Sequence, residues 1–400
     1  MQDLITTKTI REINRKKVID IIRKKNVVKQ STIIVKSGLS KQTINSIIID
    51  LINDKIIKID SIGSSTSKGG RKPMIFKFNP KAYLLAGMLL GENKIRCCIT
   101  DLNVGIITQD FIAANYNYSP SKITEEMITL YTKTVRSLAK QSKKIIGLGI
   151  GLPGVADFDN GLVKVLTRHK GWEDYALKEK LQKHINVPII LDNEANVRAL
   201  GEKWFGLGKD KRNFITVMIR SNGIGAGVII NEELFRGKNY IAGQIGHMLL
   251  RKEKSTSYLN YEFFLGQKYL NEILKDKLKK YSKSEIEEFV PSYDNEDVDI
   301  THIFTKFNAK NKIAIEVIGD VIELFGLMIA NVLCSFDIEL IIIHGIYSYL
   351  NDDFFNSIKE FVNNLVFPEA KKNFEIVRSL ASKEMGLKGA ASMVLEVVNI

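Results

Sequence analysis

Apolar residues in the first fifth of the chain recur at helical spacing, and beyond it they gather into short runs separated by glycine. Residues 9 to 25, TIREINRKKVIDIIRKK, set Ile10, Ile13, Val18, Ile21 and Ile22 near a 3.6-residue period with Lys and Arg opposite. That pattern predicts an amphipathic helix with one basic face. In STIIVKSGLSKQTINSIIIDLINDK a short apolar run ends at Gly38, and Ser40 is placed to cap a new helix. Ile44, Ile47, Ile48, Leu51 and Ile52 would supply its buried stripe. Two helices joined by a glycine-containing turn predict a helix-turn-helix. The exposed start of the second helix carries Lys41, Gln42, Thr43, Asn45 and Ser46, side chains suited to base edges or phosphates. KIIKID and MIFKFN then read as short strands around SIGSSTSKGGRKP. This predicts a β-wing in which Gly69 and Gly70 allow close approach of backbone and Lys68, Arg71 and Lys72 carry charge for phosphates or the minor groove.

From Tyr83 onward strands and helices alternate, the mark of an α/β fold. YLLAGMLLGENKIRCCITDLNVGIITQDF (83–111) and NFITVMIRSNGIGAGVIINEELFRG (213–237) share one plan: strand, glycine-bearing turn, strand, turn. The repeat predicts two related lobes around a ligand cleft, with loops from GLGIGLPGVAD and from LDNEANVRALGE turned toward it. We therefore expect a winged helix-turn-helix over 1–79 and a two-lobed domain over 80–400, with lobe one about 80–195 plus 380–400 and lobe two about 196–379.

Charge sharpens this division. The chain has 400 residues and a net charge of +13. Residues 1–80 hold 17 Lys and Arg against 6 Asp and Glu, and the other 320 hold 41 against 39. A basic first fifth on a nearly neutral remainder points to double-stranded DNA as a partner. No apolar targeting region opens the sequence, and charges such as Asp337 and Glu339 interrupt its apolar runs, so a cytoplasmic location without membrane contact is expected. Cys97, Cys98 and Cys334 suit neither a disulfide framework nor a metal knuckle and are expected to be buried thiols.

GLSKQTINSIIIDLI, GGRKPMIFKFNP, GLPGVAD, DNEANVRALGE, GIGAGVIINEELFRG, AGQIGHM and GLKGAASM follow one another in an order that resembles the ROK group of repressors and sugar kinases. The resemblance spans nearly the whole chain. It implies a winged helix-turn-helix joined to a domain of the actin and hexokinase (ribonuclease H-like) fold. Asn-Glu-Ala-Asn at 193–196 resembles the xylose-repressor branch, because kinase members carry Asp in place of Glu194.

A kinase of this group needs an acid near Mg²⁺, a phosphate loop and a carboxylate base. Here the family's Asp-x-Gly-Gly-Thr-Lys aligns with Leu89-Leu90-Gly91-Glu92-Asn93-Lys94, an aliphatic side chain for the acid. Ser221-Asn222 replaces the family's Gly-Thr opening, and His344-Gly345 replaces a Gly-Gly pair near the adenosine. No catalytic residue and no cofactor are expected. By resemblance, Asn193, Glu194 and His247 hydrogen-bond sugar hydroxyls, Gln244 stands where the family usually has Glu, and Glu262 takes the place of a further sugar-binding Glu. For Asn193 and Glu194 a helix cap with a first-turn carboxylate is the competing reading, and for His247 a core histidine. The family's zinc-binding cysteines are missing from LLRKEKSTSYLNYEFF, so no structural zinc is expected.

The expected function is a sugar-responsive DNA-binding regulator, a repressor released from its operator by a monosaccharide with xylose the first choice. Ser40, Lys41, Gln42, Thr43, Asn45, Lys68, Gly69, Gly70, Arg71 and Lys72 form the expected DNA-contacting set. Such winged helices usually bind inverted half-sites as pairs, so a homodimer or higher oligomer is expected. A sugar kinase with an added DNA-binding domain and a regulator with a vestigial sugar site are the alternatives.

Overall fold

The computed structural model describes residues 7–62, 74–91, 93–115, 117–166, 169–220, 223–252, 258–371, 373–380 and 382–398. They form two compact units. One contains Met1–Leu152, Asp159–Leu191 and Ala390–Ile400, and the other contains Pro153–Phe158 and Asp192–Gly389.

The first unit opens with α1 (Thr7–Lys25), β1 (Val27–Lys29), α2 (Gln30–Ser37), α3 (Lys41–Asn53), β2 (Ile57–Ile62) and β3 (Met74–Phe78). Gly38 ends α2 at φ 68°, a left-handed turn that glycine enters without a Cβ clash, and its N–H donates to Ile34 O. Ser40 caps α3 by accepting from the Thr43 N–H at 3.1 Å. Ile44, Ile47, Ile48 and Leu51 are buried, while Ile52 is half-buried. Two features depart from expectation. On α1 the buried residues are Val18, Ile19 and Ile22, whereas Ile10 and Ile13 are exposed. The earlier turns are instead held to α3 by ion pairs, Arg11 to Asp50 at 2.7 Å and Arg15 to Asp54 at 2.5 Å. A third strand, β1, also pairs antiparallel with β3, giving the order β1-β3-β2. The wing residues Lys68, Gly69, Gly70, Arg71 and Lys72 lie outside the described residues.

Next come β4 (Leu84–Leu90), β5 (Lys94–Asp101), β6 (Ile106–Ala113), α4 (Pro120–Arg136), β7 (Ile145–Leu152), β8 (Gly154–Asp157), β9 (Leu162–Leu166), α5 (Leu177–Gln182) and β10 (Ile189–Asn193). Five of these strands make a sheet ordered β10-β7-β4-β5-β6. Strand β4 is buried at every residue, as a strand covered on both faces must be.

The second unit continues with α6 (Glu194–Phe205), β11 (Phe214–Arg220), β12 (Gly223–Ile230), β13 (Glu233–Phe235), β14 (Leu249–Lys252), β15 (Tyr258–Asn260), α7 (Tyr261–Phe264), α8 (Gln267–Leu278), α9 (Lys283–Phe289), α10 (Ile300–Asn308), α11 (Lys312–Phe336), β16 (Leu340–Gly345), α12 (Asp352–Leu365) and β17 (Glu375–Arg378). Helix α13 (Ser382–Val397) starts in this unit and ends in the first. The second sheet has the order β13-β12-β11-β16-β17, and each sheet has two antiparallel hairpin pairs beside a parallel pair. The sequence repeat is thus a repeat of wiring: third strand, second, first, fourth, fifth. The join between third and fourth strands spans 114–144 in the first copy and 236–339 in the second. The long second join folds over one apolar core in which Phe304 and Phe325 pack on Tyr347 of the segment after β16. Cys97 and Cys98 are buried on β5, but Cys334 is exposed, because it lies outside the apolar stripe of α11.

Helix α6 approaches β12 through small residues. A Cβ on Gly227 would stand 2.5 Å from Ala195 O and 2.6 Å from Ala199 Cβ. Gly227→Ala is expected to destabilise the chain by about 1–3 kcal/mol. Gly223→Ala, where nothing lies within 4 Å, should leave stability unchanged. Urea denaturation of both variants checks this, and equal midpoints would contradict the close packing.

Candidate functional site

The turn from β10 into α6 places Asp192, Asn193 and Glu194 in succession, and each side chain has a different task. Asn193 sits at φ −62°, ψ 145°, just before the helix. Its Oδ1 accepts from the Ala195 N–H at 2.7 Å, and its Nδ2 donates to Gly154 O. The amide oxygen therefore caps the helix and the amide nitrogen ties the turn to β8. Asp192 is almost wholly buried. Its Oδ1 accepts from the Asn193 N–H and from Asn196 Nδ2, each at 2.7 Å, and its Oδ2 accepts from Arg236 Nε at 2.8 Å. The Arg236 guanidinium lies 3.7 Å from the centre of the Phe158 ring. Burial lifts the Asp192 carboxyl above its usual range, although Arg236 and the donated hydrogen bonds act against that rise.

Glu194 turns into the protein and is 5% exposed. Arg198, one helical turn later and itself buried, donates to Oε1 from its terminal nitrogen at 2.8 Å and from Nε at 3.3 Å. Arg220, at the end of β11, pairs with Oε2. Burial lowers the Arg198 pKa to about 10, and the charge of Glu202 resists that fall. A carboxylate has about four lone-pair sites, so these contacts leave Glu194 at most one for a ligand.

The remaining predicted sugar contacts gather at β12. Gln244 is half-buried and begins a short 3-10 turn, Ile245–His247. The carbonyl of Gly243 accepts from the Ala226 N–H at 2.7 Å, which fastens this turn to the strand. The side chain of His247 is 64% exposed, so the core-histidine reading does not hold, and its Nε2 lies 3.9 Å from Glu262 Oε2. That oxygen accepts from the Ile224 N–H at 3.3 Å. Arg220 pairs with Gly223 across the β11–β12 hairpin. Glu194 thus meets the hairpin through Arg220, and Glu262 meets it through the Ile224 N–H with His247 beside it.

A local signal exists only for Arg198, whose spacing from Glu194 is that of an ion pair one helical turn apart. Arg220 and Arg236 arrive from other strands and left no such signal. Neither did the buried group Glu202, His344 and Ser379. Ser379 donates to Glu202 Oε1 at 2.6 Å, and the Leu207 N–H donates to Oε2 at 2.8 Å. His344 Nε2 stands 3.1 Å from Oε1, outside hydrogen-bond geometry. Burial raises the Glu202 carboxyl, but the contacts from His344, Ser379 and Leu207 outweigh it and leave the group below its ordinary value. Burial lowers the His344 pKa, against the pull of Glu202.

Leu89 is wholly buried in β4, and its aliphatic side chain has no atom to coordinate a cation. Among the described residues, no group of three or more His, Cys, Asp or Glu is placed to hold a metal ion. At the other end of the chain, Lys41, Gln42 and Asn45 are exposed on the first turns of α3 and Thr43 is half-buried. Ser40 and Thr43 share a hydrogen bond of 2.9 Å, and Gln30 donates to Asn45 Oδ1.

Comparison with known proteins places these features in a group. The profile of the ROK family matches residues 85–397. A protein of Bacillus spizizenii named xylose repressor is 29% identical over 398 residues, 98% of each chain. A glucokinase of Halalkalibacterium halodurans is 25% identical over 321 residues, covering 78% of this chain and 95% of its own. A solved ROK family transcriptional regulator, described as a homologue of the E. coli MLC protein, superposes with a TM-score of 0.83 at 20% identity over 96% of both chains. That last likeness is one of fold.

Two outcomes follow from the buried charges. Arg198→Met leaves the Glu194 carboxylate buried with one cation fewer and is expected to destabilise the chain by about 3–5 kcal/mol. Replacing Glu194 with Met as well should recover part of that loss in urea denaturation, and additive losses would contradict the pairing. Stability should also fall on acidification. The folded chain holds His344 neutral below its ordinary value of 6.5, so protons taken up there favour the unfolded state. Glu202 acts in the same direction, its contribution being present above 4.5 and lost as pH falls through its lowered folded value. His344→Gln should flatten the decline between about pH 7 and pH 5, and an unchanged slope would show that His344 titrates as it does in the unfolded chain.

Proposed function

The chain belongs to the ROK family, and from that membership together with its N-terminal helix-turn-helix we propose that it is a sugar-responsive, DNA-binding transcription regulator. In this reading it is a repressor that leaves its operator when a monosaccharide binds, with xylose the first choice. The observation that carries the reading is the capped start of α3, where Lys41, Gln42 and Asn45 stand exposed on a rigid helix. Amide side chains so presented pair with adenine edges, and lysine pairs with guanine or phosphate. The relative named xylose repressor covers 98% of the chain, which supports the same assignment.

Residues 1–79 are assigned to DNA, with Ser40, Lys41, Gln42, Thr43 and Asn45 joined by the wing residues Lys68, Gly69, Gly70, Arg71 and Lys72. Residues 80–400 are assigned to the effector, with Asn193, Glu194, Gln244, His247 and Glu262 facing the sugar. Two copies on an inverted repeat would present two such helices to successive major grooves. No described helix is long and apolar enough to cross a membrane, which fits a protein working in the cytoplasm. A preference of the sugar for one state of about 1–3 kcal/mol is enough to change operator occupancy.

Phosphoryl transfer is not part of this function. A buried Leu89 supplies no acid for Mg²⁺, and wholly buried His344 stands where the family keeps glycine beside the adenosine. A regulator with a vestigial sugar site is the second reading, favoured by the engagement of Asn193 and Glu194 with protein groups.

Selection of bound fragments from a genomic pool, with and without each of a panel of monosaccharides and with no nucleotide added, tests the proposal. One enriched inverted repeat whose recovery changes with one sugar is expected. An enriched site indifferent to every sugar would favour the second reading, and the lack of any selected site would remove the regulator reading. On the selected site, Gln42→Ala should weaken binding by about 10- to 100-fold, and unchanged affinity would contradict recognition by α3.

A further inference from the structure

Most of the hydrogen-bonding capacity at the start of α6 is spent on the protein itself. The Asn193 amide is engaged at both its oxygen and its nitrogen, and Glu194 holds Arg198 and Arg220. A monosaccharide is ringed by oxygens that accept as well as donate, so a site that recognises one needs donors still to give. Arg236 has them.

This residue follows β13 and is fixed by contacts that all lie within the second unit. Its Nε donates to Asp192 Oδ2 at 2.8 Å, and its guanidinium lies over the Phe158 ring, 3.7 Å from the centre. Its carbonyl accepts from the Ala242 N–H at 3.1 Å, closing the turn that leads into Gln244. The anchor is itself anchored, because Asp192 Oδ1 accepts from the Asn193 N–H and from Asn196 Nδ2. The Asp192 side chain is 2% exposed and that of Arg236 20%. Among the described residues, no acceptor meets either terminal nitrogen of Arg236. A guanidinium carries donors on all three nitrogens in one rigid plane, so with Nε taken the other two form a fork of fixed direction. A lysine would balance the charge of Asp192 equally well. The stacked, oriented fork is what arginine adds.

We infer that Arg236 is a ligand-binding residue of this domain, its two terminal nitrogens donating to a pair of neighbouring oxygens on the monosaccharide, with Asp192 and Phe158 as its positioning residues. The inference rests on the sugar-responsive reading and names a contact for that site. Arg236 joins the segments already assigned to the sugar: Asp192 precedes Asn193 and Glu194, and the turn it closes precedes Gln244 and His247. It supplies donors where Asn193 and Glu194 have few groups left, and it selects for two adjacent oxygens at the spacing of the fork.

Calorimetric titration of the full chain with a panel of aldopentoses and aldohexoses led by xylose, and with the monodeoxy forms of whichever binds, tests this. Arg236→Lys keeps a cation beside Asp192 and removes the fork. It should unfold at a urea midpoint near that of the wild type and bind the sugar about 10- to 100-fold more weakly. Loss of a contacted oxygen should cost the wild type a similar factor and the Arg236→Lys variant almost nothing, since the donor is already gone. A merely structural role would weaken the sugar and all its deoxy forms alike. That outcome, or wild-type affinity in Arg236→Lys, overturns the inference and leaves the sugar-responsive reading standing. If no sugar of the panel binds the wild type, the reading itself fails and the role of Arg236 falls with it. Where Arg236→Lys does not fold, Phe158→Leu takes its place, because it removes the platform and leaves Asp192 paired. The penalty for the missing oxygen should shrink in that variant, and a penalty equal to that of the wild type overturns the inference.

Discussion

Charge buried along α6 is the constraint on which the second unit depends. All of this helix but Lys203 and Phe205 is buried, yet it carries Glu194, Asn196, Arg198 and Glu202, with Asp192 immediately before it. An ion in such surroundings is tolerated only with a partner in good geometry. The partners come from distinct places: Arg198 from the helix itself, Arg220 from β11, Arg236 from the segment after β13, His344 from β16 and Ser379 from the residue after β17. Sliding the helix by one residue would leave several of these groups unmatched at once. The small residues Ala195, Ala199 and Gly227 set how near the helix lies to β12, and the ion pairs set its register.

That economy bears on the chemistry of the domain. Two guanidinium groups engage the Glu194 carboxylate, Arg198 from its own helix and Arg220 from β11. His344 and Leu89 are likewise wholly buried within their strands.

Much of the N-terminal part was legible because its determinants are local. The apolar period of α3, the cap at Ser40 and the stop at Gly38 each involve residues within four positions of one another. Strand β1 was not legible, since three residues carry little pattern and their pairing with β3 joins residues far apart in sequence, as Val27 with Lys77. The exposure of Ile10 and Ile13 was hidden for a similar reason, because a helical period states which residues share a face and not how much of that face is covered. The two-sheet plan could be read from the repeat, but strand order required β16 and β17, which the repeat does not contain. At the site, the residues at the helix start were readable as a motif, whereas Arg220 and Arg236 reach it only through tertiary structure.

The doubled sheet shows where this architecture is free to grow. Its two copies keep identical wiring, although the join between third and fourth strands covers 114–144 in one and 236–339 in the other. A crossover between parallel strands leaves the sheet and returns to it, so its length is unconstrained by the ladder. The second copy thus carries a helical annex that shares one apolar core with its strands, while the order of those strands stays that of the first copy.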